Sequence, residues 1–64
     1  MAEWKRDIRI LAKDFYFSKY EIQRILKKVE KLYSKEDMPL YYKGNRNEFL
    51  YDKAHREVMN IVLA

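Results

Sequence analysis

A short corner between two amphipathic stretches, near residues 15–18, constrains the fold of this chain more than any other feature. Ser18 is followed three residues later by Glu21, a spacing typical of a capping box at the start of a helix. Phe17 and Ile22 have the spacing of a hydrophobic staple, which fixes the angle at which the chain enters the helix. The sequence therefore predicts two helices joined by a tight turn over residues 8–27.

The first helix is predicted to run from about residue 2 to residue 14. Trp4, Ile8, Leu11 and Phe15 recur at i, i+4, i+7 and i+11, which places them on one face of a helix. We expect this face to point into the core.

The second and third helices are predicted at about residues 18–34 and 47–63. Asn45 and Glu48 form a further cap pair before the third helix. The apolar face of the second helix is expected to comprise Ile22, Ile25, Leu26, Val29, Leu32 and Tyr33. That of the third helix is expected to comprise Leu50, Tyr51, Ala54, Val58, Ile61 and Val62.

An irregular loop is predicted between the second and third helices, over residues 36–46. The only proline and the only glycine of the chain, Pro39 and Gly44, both lie there. We expect residues 40–42 to be a short extended piece and residues 43–45 to form a turn. Residues 1–64 are thus predicted to be a single all-α domain of three helices.

The composition narrows the classes of function. The chain has 64 residues, no cysteine and one histidine, His55, so disulfides and thiolate metal sites are excluded. No nucleophile, metal-ligand set or phosphate-binding glycine loop is recognisable. We therefore expect a protein that is not an enzyme and that uses no cofactor or metal.

The net charge of +4 favours acidic partners, nucleic acid above all. No apolar run approaches the roughly 18 residues that a membrane span needs, and no signal peptide is recognisable. We accordingly expect a cytoplasmic protein that does not use a membrane as its partner.

Four residues around the corner have the spacing of the packing positions in DNA-binding helix-turn-helix units. Ala12 is the small residue that lets the second helix cross closely, and Phe17 plugs the corner. Ile22 and Ile25 are the branched residues that point inward from the second helix. This stretch resembles the helix-turn-helix family of bacterial and phage regulators over about 20 residues. The departure is Tyr16, where the family usually has glycine, so we expect the turn to be longer or differently shaped.

The resemblance implies a small DNA-binding regulator whose second helix enters the major groove. The side chains expected to face the bases are Ser18, Lys19, Tyr20, Gln23 and Arg24. The cations expected to contact phosphates are Lys27, Lys28, Lys31, Lys35, Lys43 and Arg46. Duplex DNA is favoured over single strands. Because one small module binds weakly, we also expect a homodimer or a larger parent protein.

Two alternatives stay open. An ordinary three-helix bundle with a solvated basic face fits the same spacings, and it predicts a nearly antiparallel helical hairpin rather than a crossing of about 90–120°. The competing function is a protein-interaction module that uses exposed apolar residues. Those residues would be Ile10, Met59, Leu63 and the loop tyrosines Tyr41 and Tyr42.

Overall fold

The computed structural model describes residues 3–64 and contains three α-helices. These are α1 (Glu3–Asp14), α2 (Lys19–Tyr33) and α3 (Arg46–Val62), with a short 3-10 helix at Leu40–Tyr42. The part of the chain described contains no β-strand. The predicted all-α, three-helix fold is confirmed, with helix ends within a residue of those expected. The expected start of the first helix, at residue 2, lies outside the described residues.

Contacts between helix ends define the direction of each helix. The backbone amide of Trp4, in the first turn of α1, donates to Asn47 Oδ1 in the first turn of α3 at 2.7 Å. Arg46, also at the start of α3, donates through Nη1 to the carbonyl of Tyr33 at the end of α2, at 3.1 Å. The starts of α1 and α3 and the end of α2 therefore lie at the same end of the molecule. This is the arrangement of an up-down-up bundle.

An ion pair between α1 and α2 limits the angle between these two helices. Lys5 Nζ lies 2.6 Å from Glu30 Oε2. The two residues lie about 14 and 17 Å from the corner, so helices crossing at a right angle would hold them about 20 Å apart, too far for an ion pair. α1 and α2 therefore do not cross at a right angle.

One hydrophobic core lies between the three helices, and each helix contributes a fully buried side chain to it. These side chains are Ile8, Val29 and Val58. The complete set of buried residues is Trp4, Ile8, Ala12, Ile22, Ile25, Leu26, Val29, Phe49, Leu50, Ala54 and Val58. A chain of this size buries a modest share of its surface, so each of these residues matters to stability.

Three predicted core positions are wrong. Phe15 is exposed because α1 ends at Asp14, so residue 15 no longer follows the helical track, and Ala12 is the last inward-facing residue of α1. Leu32 and Ile61 are also exposed. Both lie in the last turns of their helices, and their neighbours Tyr33 and Val62 pack against the core instead.

Phe49 is a core residue that the apolar pattern of α3 did not predict. Its ring packs edge-on against Tyr33 and Tyr42, with centroid separations of 6.2 and 5.2 Å. These partners come from the end of α2 and from the loop. Phe49 is therefore buried by residues outside α3. The spacing of apolar residues within α3 cannot predict such contacts.

The loop before α3 is a 3-10 turn, and the predicted extended conformation of residues 40–42 is wrong. The amides of Tyr42 and Lys43 donate to the carbonyls of Pro39 and Leu40 at 3.1 and 2.9 Å. The predicted turn that follows is confirmed, because Lys43 and Gly44 both have positive φ, at 50° and 80°. Two successive left-handed residues reverse the chain into α3, a conformation that suits glycine.

Candidate nucleic-acid interface

The start of α2 is fixed by the predicted capping box. The Ser18 amide donates to Glu21 Oε1 at 2.9 Å, and the Glu21 amide donates to Ser18 Oγ at 3.1 Å. The hydrogen bond from the Ser18 amide, with a second contribution from the Ser18 hydroxyl, lowers the pKa of the Glu21 carboxyl. Ser18, expected to face a base, thus uses its hydroxyl oxygen as a helix cap.

The turn before α2 has the left-handed residue that helix-turn-helix units require. Tyr16 has φ 63°. The Phe17 amide donates to the Ala12 carbonyl at 3.1 Å, and the Tyr16 amide donates to Lys13 at 3.0 Å, which is the Schellman pattern. The expectation that tyrosine makes the turn longer or differently shaped is wrong, since Tyr16 adopts the backbone conformation that the family reserves for glycine.

The four residues with helix-turn-helix spacing are placed as predicted. Ala12, Ile22 and Ile25 are buried, and Phe17 packs partly buried against the core. The turn and its packing residues are therefore arranged as the sequence predicts.

The outward face of α2 carries a continuous row of exposed polar and basic side chains, which we call the basic strip. It consists of Lys19, Tyr20, Gln23, Arg24, Lys27 and Lys31. All but Lys31 line one shallow depression on the helix surface. The guanidinium carbon of Arg24 lies 6.0 Å from the ring centroid of Tyr20, so cation and aromatic ring share the centre of the strip.

The acidic residues of α2 are engaged away from the basic strip. Glu21 turns back to cap its own helix, and Glu30 pairs with Lys5 of α1. Within residues 3–64, none of the four cations of the strip forms a salt bridge. The strip therefore presents uncompensated positive charge to solvent.

Lys28 differs from the other cations of α2. Its Nζ lies 2.8 Å from Glu57 Oε1 on α3. Lys28, which was expected to contact a phosphate, is therefore paired with a carboxylate of the neighbouring helix, and the sequence of α2 alone does not reveal that partner. Lys28 is accordingly left out of the basic strip.

The loop cations differ in what they contact. Arg46 Nη1 donates to the carbonyls of Tyr33 and Glu36 at 3.1 and 2.6 Å, so it satisfies backbone groups at and beyond the end of α2. This side chain serves the fold, and we do not include it among phosphate contacts. Lys35 and Lys43 are exposed, and both lie towards the end of the bundle opposite Tyr16.

Sequence reasoning treated Tyr16 only as a departure from a family pattern. Its side chain is 95% exposed, and the residue lies in the corner three positions before Lys19. The signal that could have drawn attention to it was the bulky residue at a position that requires a left-handed backbone.

No family model, curated protein sequence or solved structure matches this chain. Among residues 3–64, the helices are too short or too polar to cross a membrane.

Proposed function

We propose that this chain is a non-catalytic DNA-binding module that contacts DNA through the basic strip of α2. The observation that carries the proposal is the uncompensated charge of Lys19, Arg24, Lys27 and Lys31 beside acids that are engaged elsewhere. Each cation that meets a phosphate releases a condensed counterion, which favours binding. A helix face that only has to be solvated could carry cations and acids side by side, so the separation seen on α2 favours a negatively charged partner.

Duplex DNA is the favoured partner because an exposed helix fits the major groove. α2 has 15 residues and is thus about 22 Å long, and its outward face is free along this length. Gln23 and Arg24 are suited to adenine and guanine, while Lys27 and Lys31 are suited to phosphates. α1 does not cover this face, because the side chains of the face are exposed, so the proposal does not require a perpendicular helix crossing.

A single strip of this size makes few contacts, so the proposal includes a second DNA-binding unit. Specific DNA complexes of single small modules bury about 600–1,000 Å² of protein surface, and tighter binding uses two units on neighbouring sites. The second unit is either another copy of this chain or another part of a parent protein.

Reversing charge on the strip tests the proposal. Arg24→Glu combined with Lys27→Glu replaces two cations, which takes the formal net charge from +4 to 0. We expect affinity for a random-sequence duplex at low salt to fall at least about tenfold, since non-specific binding is electrostatic and two cations of the strip are replaced by acids. Fluorescence anisotropy with a labelled random-sequence duplex measures the affinity, and circular dichroism checks that the variant is folded.

The matched control is Arg9→Glu combined with Arg56→Glu. These two exposed arginines lie on α1 and α3 and form no salt bridge within the described residues. The control has the same net charge as the strip variant, so it separates local contacts from overall charge. Equal loss of affinity in both variants would contradict a specific role for the basic strip.

The competing interaction surface is divided in the structure. Leu40 and Tyr41 are exposed just before α3, whereas Leu63 is exposed just after it, and the 17-residue helix between them spans about 25 Å. Tyr42 is partly buried and its hydroxyl donates to Asp52 at 2.8 Å. Of the apolar surface expected for that function, Tyr41 thus lies at the end of α3 opposite Leu63, so the loop tyrosines and Leu63 do not form one continuous patch.

A further inference from the structure

The Schellman turn requires the left-handed backbone of Tyr16 but not its aromatic side chain. Its φ of 63° is a conformation that a side chain with a Cβ adopts only at a steric penalty. Its side chain is also 95% exposed, so packing returns almost nothing to offset that penalty. Glycine would adopt the same backbone without strain. A strained and exposed aromatic residue is therefore a candidate for direct contact with a ligand.

Tyr16 lies in the corner just before the basic strip. It precedes Lys19 by three positions, so their Cα atoms lie at most about 11 Å apart. Tyr20, the exposed aromatic residue of the strip itself, already has the Arg24 guanidinium over its ring at 6.0 Å. No aromatic or cationic partner occupies the ring of Tyr16 among residues 3–64.

We infer that Tyr16 stacks on an unpaired base while the basic strip holds the neighbouring phosphates. Inside a duplex the faces of the bases are covered by their neighbours, whereas an unpaired base offers its face to an aromatic side chain. The preferred partner is then duplex DNA that continues into a single strand. This inference rests on the proposed DNA-binding function and narrows its substrate.

The loop tyrosines are less suited to the same task. Tyr42 packs edge-on against Phe49 at 5.2 Å and uses its hydroxyl on Asp52. Tyr41 is exposed, but its ring already packs edge-on against Tyr42 at 5.2 Å. The nearby cation Arg46 contacts backbone carbonyls. Tyr41 therefore provides a matched control, an exposed tyrosine at the opposite end of the bundle.

The experiment compares three labelled DNA probes by fluorescence anisotropy. One is a blunt duplex, one carries a short thymidine overhang, and one carries an overhang of the same length made of abasic sites. The two overhangs have the same phosphates, so their difference reports stacking on bases. We expect the thymidine overhang to bind about tenfold more tightly than the abasic one.

Three variants test whether the tighter binding of the thymidine overhang depends on the ring of Tyr16. Tyr16→Ala should abolish the difference between the thymidine and abasic overhangs, and Tyr16→Phe should retain it. Tyr41→Ala should leave it unchanged. Since Tyr16 is almost fully exposed, none of these changes removes core packing, and the fluorescence of buried Trp4 checks the fold of each variant.

Three outcomes would overturn the inference. If the thymidine and abasic overhangs bind with equal affinity while all three probes show a steep salt dependence, the inference fails and the proposed function stands. Loss of the gain in Tyr41→Ala but not in Tyr16→Ala would assign stacking to the loop. If no probe binds at low salt, the proposed function fails and the inference fails with it.

Discussion

Tyr16 shows how a single residue can satisfy a structural pattern while departing from it in sequence. The left-handed turn forms with the hydrogen bonds that usually accompany glycine, although tyrosine has a Cβ that opposes this conformation. The strain therefore lies at the corner that also begins the proposed DNA-binding surface.

Replacing Tyr16 by glycine should stabilise the protein. The strain of the left-handed conformation, about 1–2 kcal/mol, is removed. The greater chain entropy of glycine in the unfolded state offsets about 0.5–1 kcal/mol of this gain. We expect the free energy of unfolding to rise by about 0.5–1 kcal/mol, measured by urea denaturation.

Tyr16→Ala provides the control, because alanine loses the ring but keeps the Cβ. Its stability should stay close to that of the parent chain. Should Tyr16→Gly prove less stable than Tyr16→Ala, the turn would not be strained at residue 16.

Residues whose role depends on near neighbours in sequence could be predicted, and residues with distant partners could not. The burial of Ala12 and Ile22 follows from the local helical period. Arg46 was predicted to contact phosphate as a cation of the loop, yet its partners are carbonyls at and beyond the end of α2. Lys28 was also predicted to contact phosphate, and its partner is likewise distant in sequence, namely the Glu57 carboxylate of α3.

The helices show the same division between local and distant effects. The capping box of α2 and the Asn45 cap of α3 were predicted, and both are present, with Asn45 Oδ1 accepting from the Glu48 amide at 3.0 Å. The cap of α1 was not predicted, because its acceptor is Asn47, 43 residues along the chain from Trp4.

Removing this distant cap should destabilise the bundle. Asn47→Ala leaves the partly buried Trp4 amide without its acceptor, and we expect a loss of about 1–2 kcal/mol in the free energy of unfolding. Asn47→Asp should retain stability, because its carboxylate still accepts the hydrogen bond and suits a helix N-terminus. Urea denaturation followed by circular dichroism measures both variants.

Asn60→Ala is the matched control for this prediction. Asn60 is an exposed asparagine on α3 and makes no side-chain hydrogen bond within residues 3–64, so its replacement should have little effect. Equal stabilities of the Asn47→Ala and Asn60→Ala variants would show that the contact between α1 and α3 contributes nothing.

At the scale of the whole molecule, the contacts of α3 constrain how α1 and α2 are arranged on either side of the corner. The local pattern around residues 12–25 predicted the turn but left the angle between α1 and α2 open. Contacts of α3 with the start of α1 and the end of α2, together with the Lys5–Glu30 pair, align the helices as a bundle. The face of α2 opposite the core consequently stays exposed from the corner to Lys31.

The salt dependence of duplex DNA binding tests the central proposal most directly. On a random-sequence duplex, where binding is electrostatic, we expect all four cations of the strip to neutralise phosphates, and a plot of log affinity against log salt concentration should have a slope of about −3.5. The Arg24→Glu, Lys27→Glu variant should reduce this slope to about −1.8, because two contacts remain. A slope near zero, or one that the variant leaves unchanged, would contradict DNA binding through the basic strip.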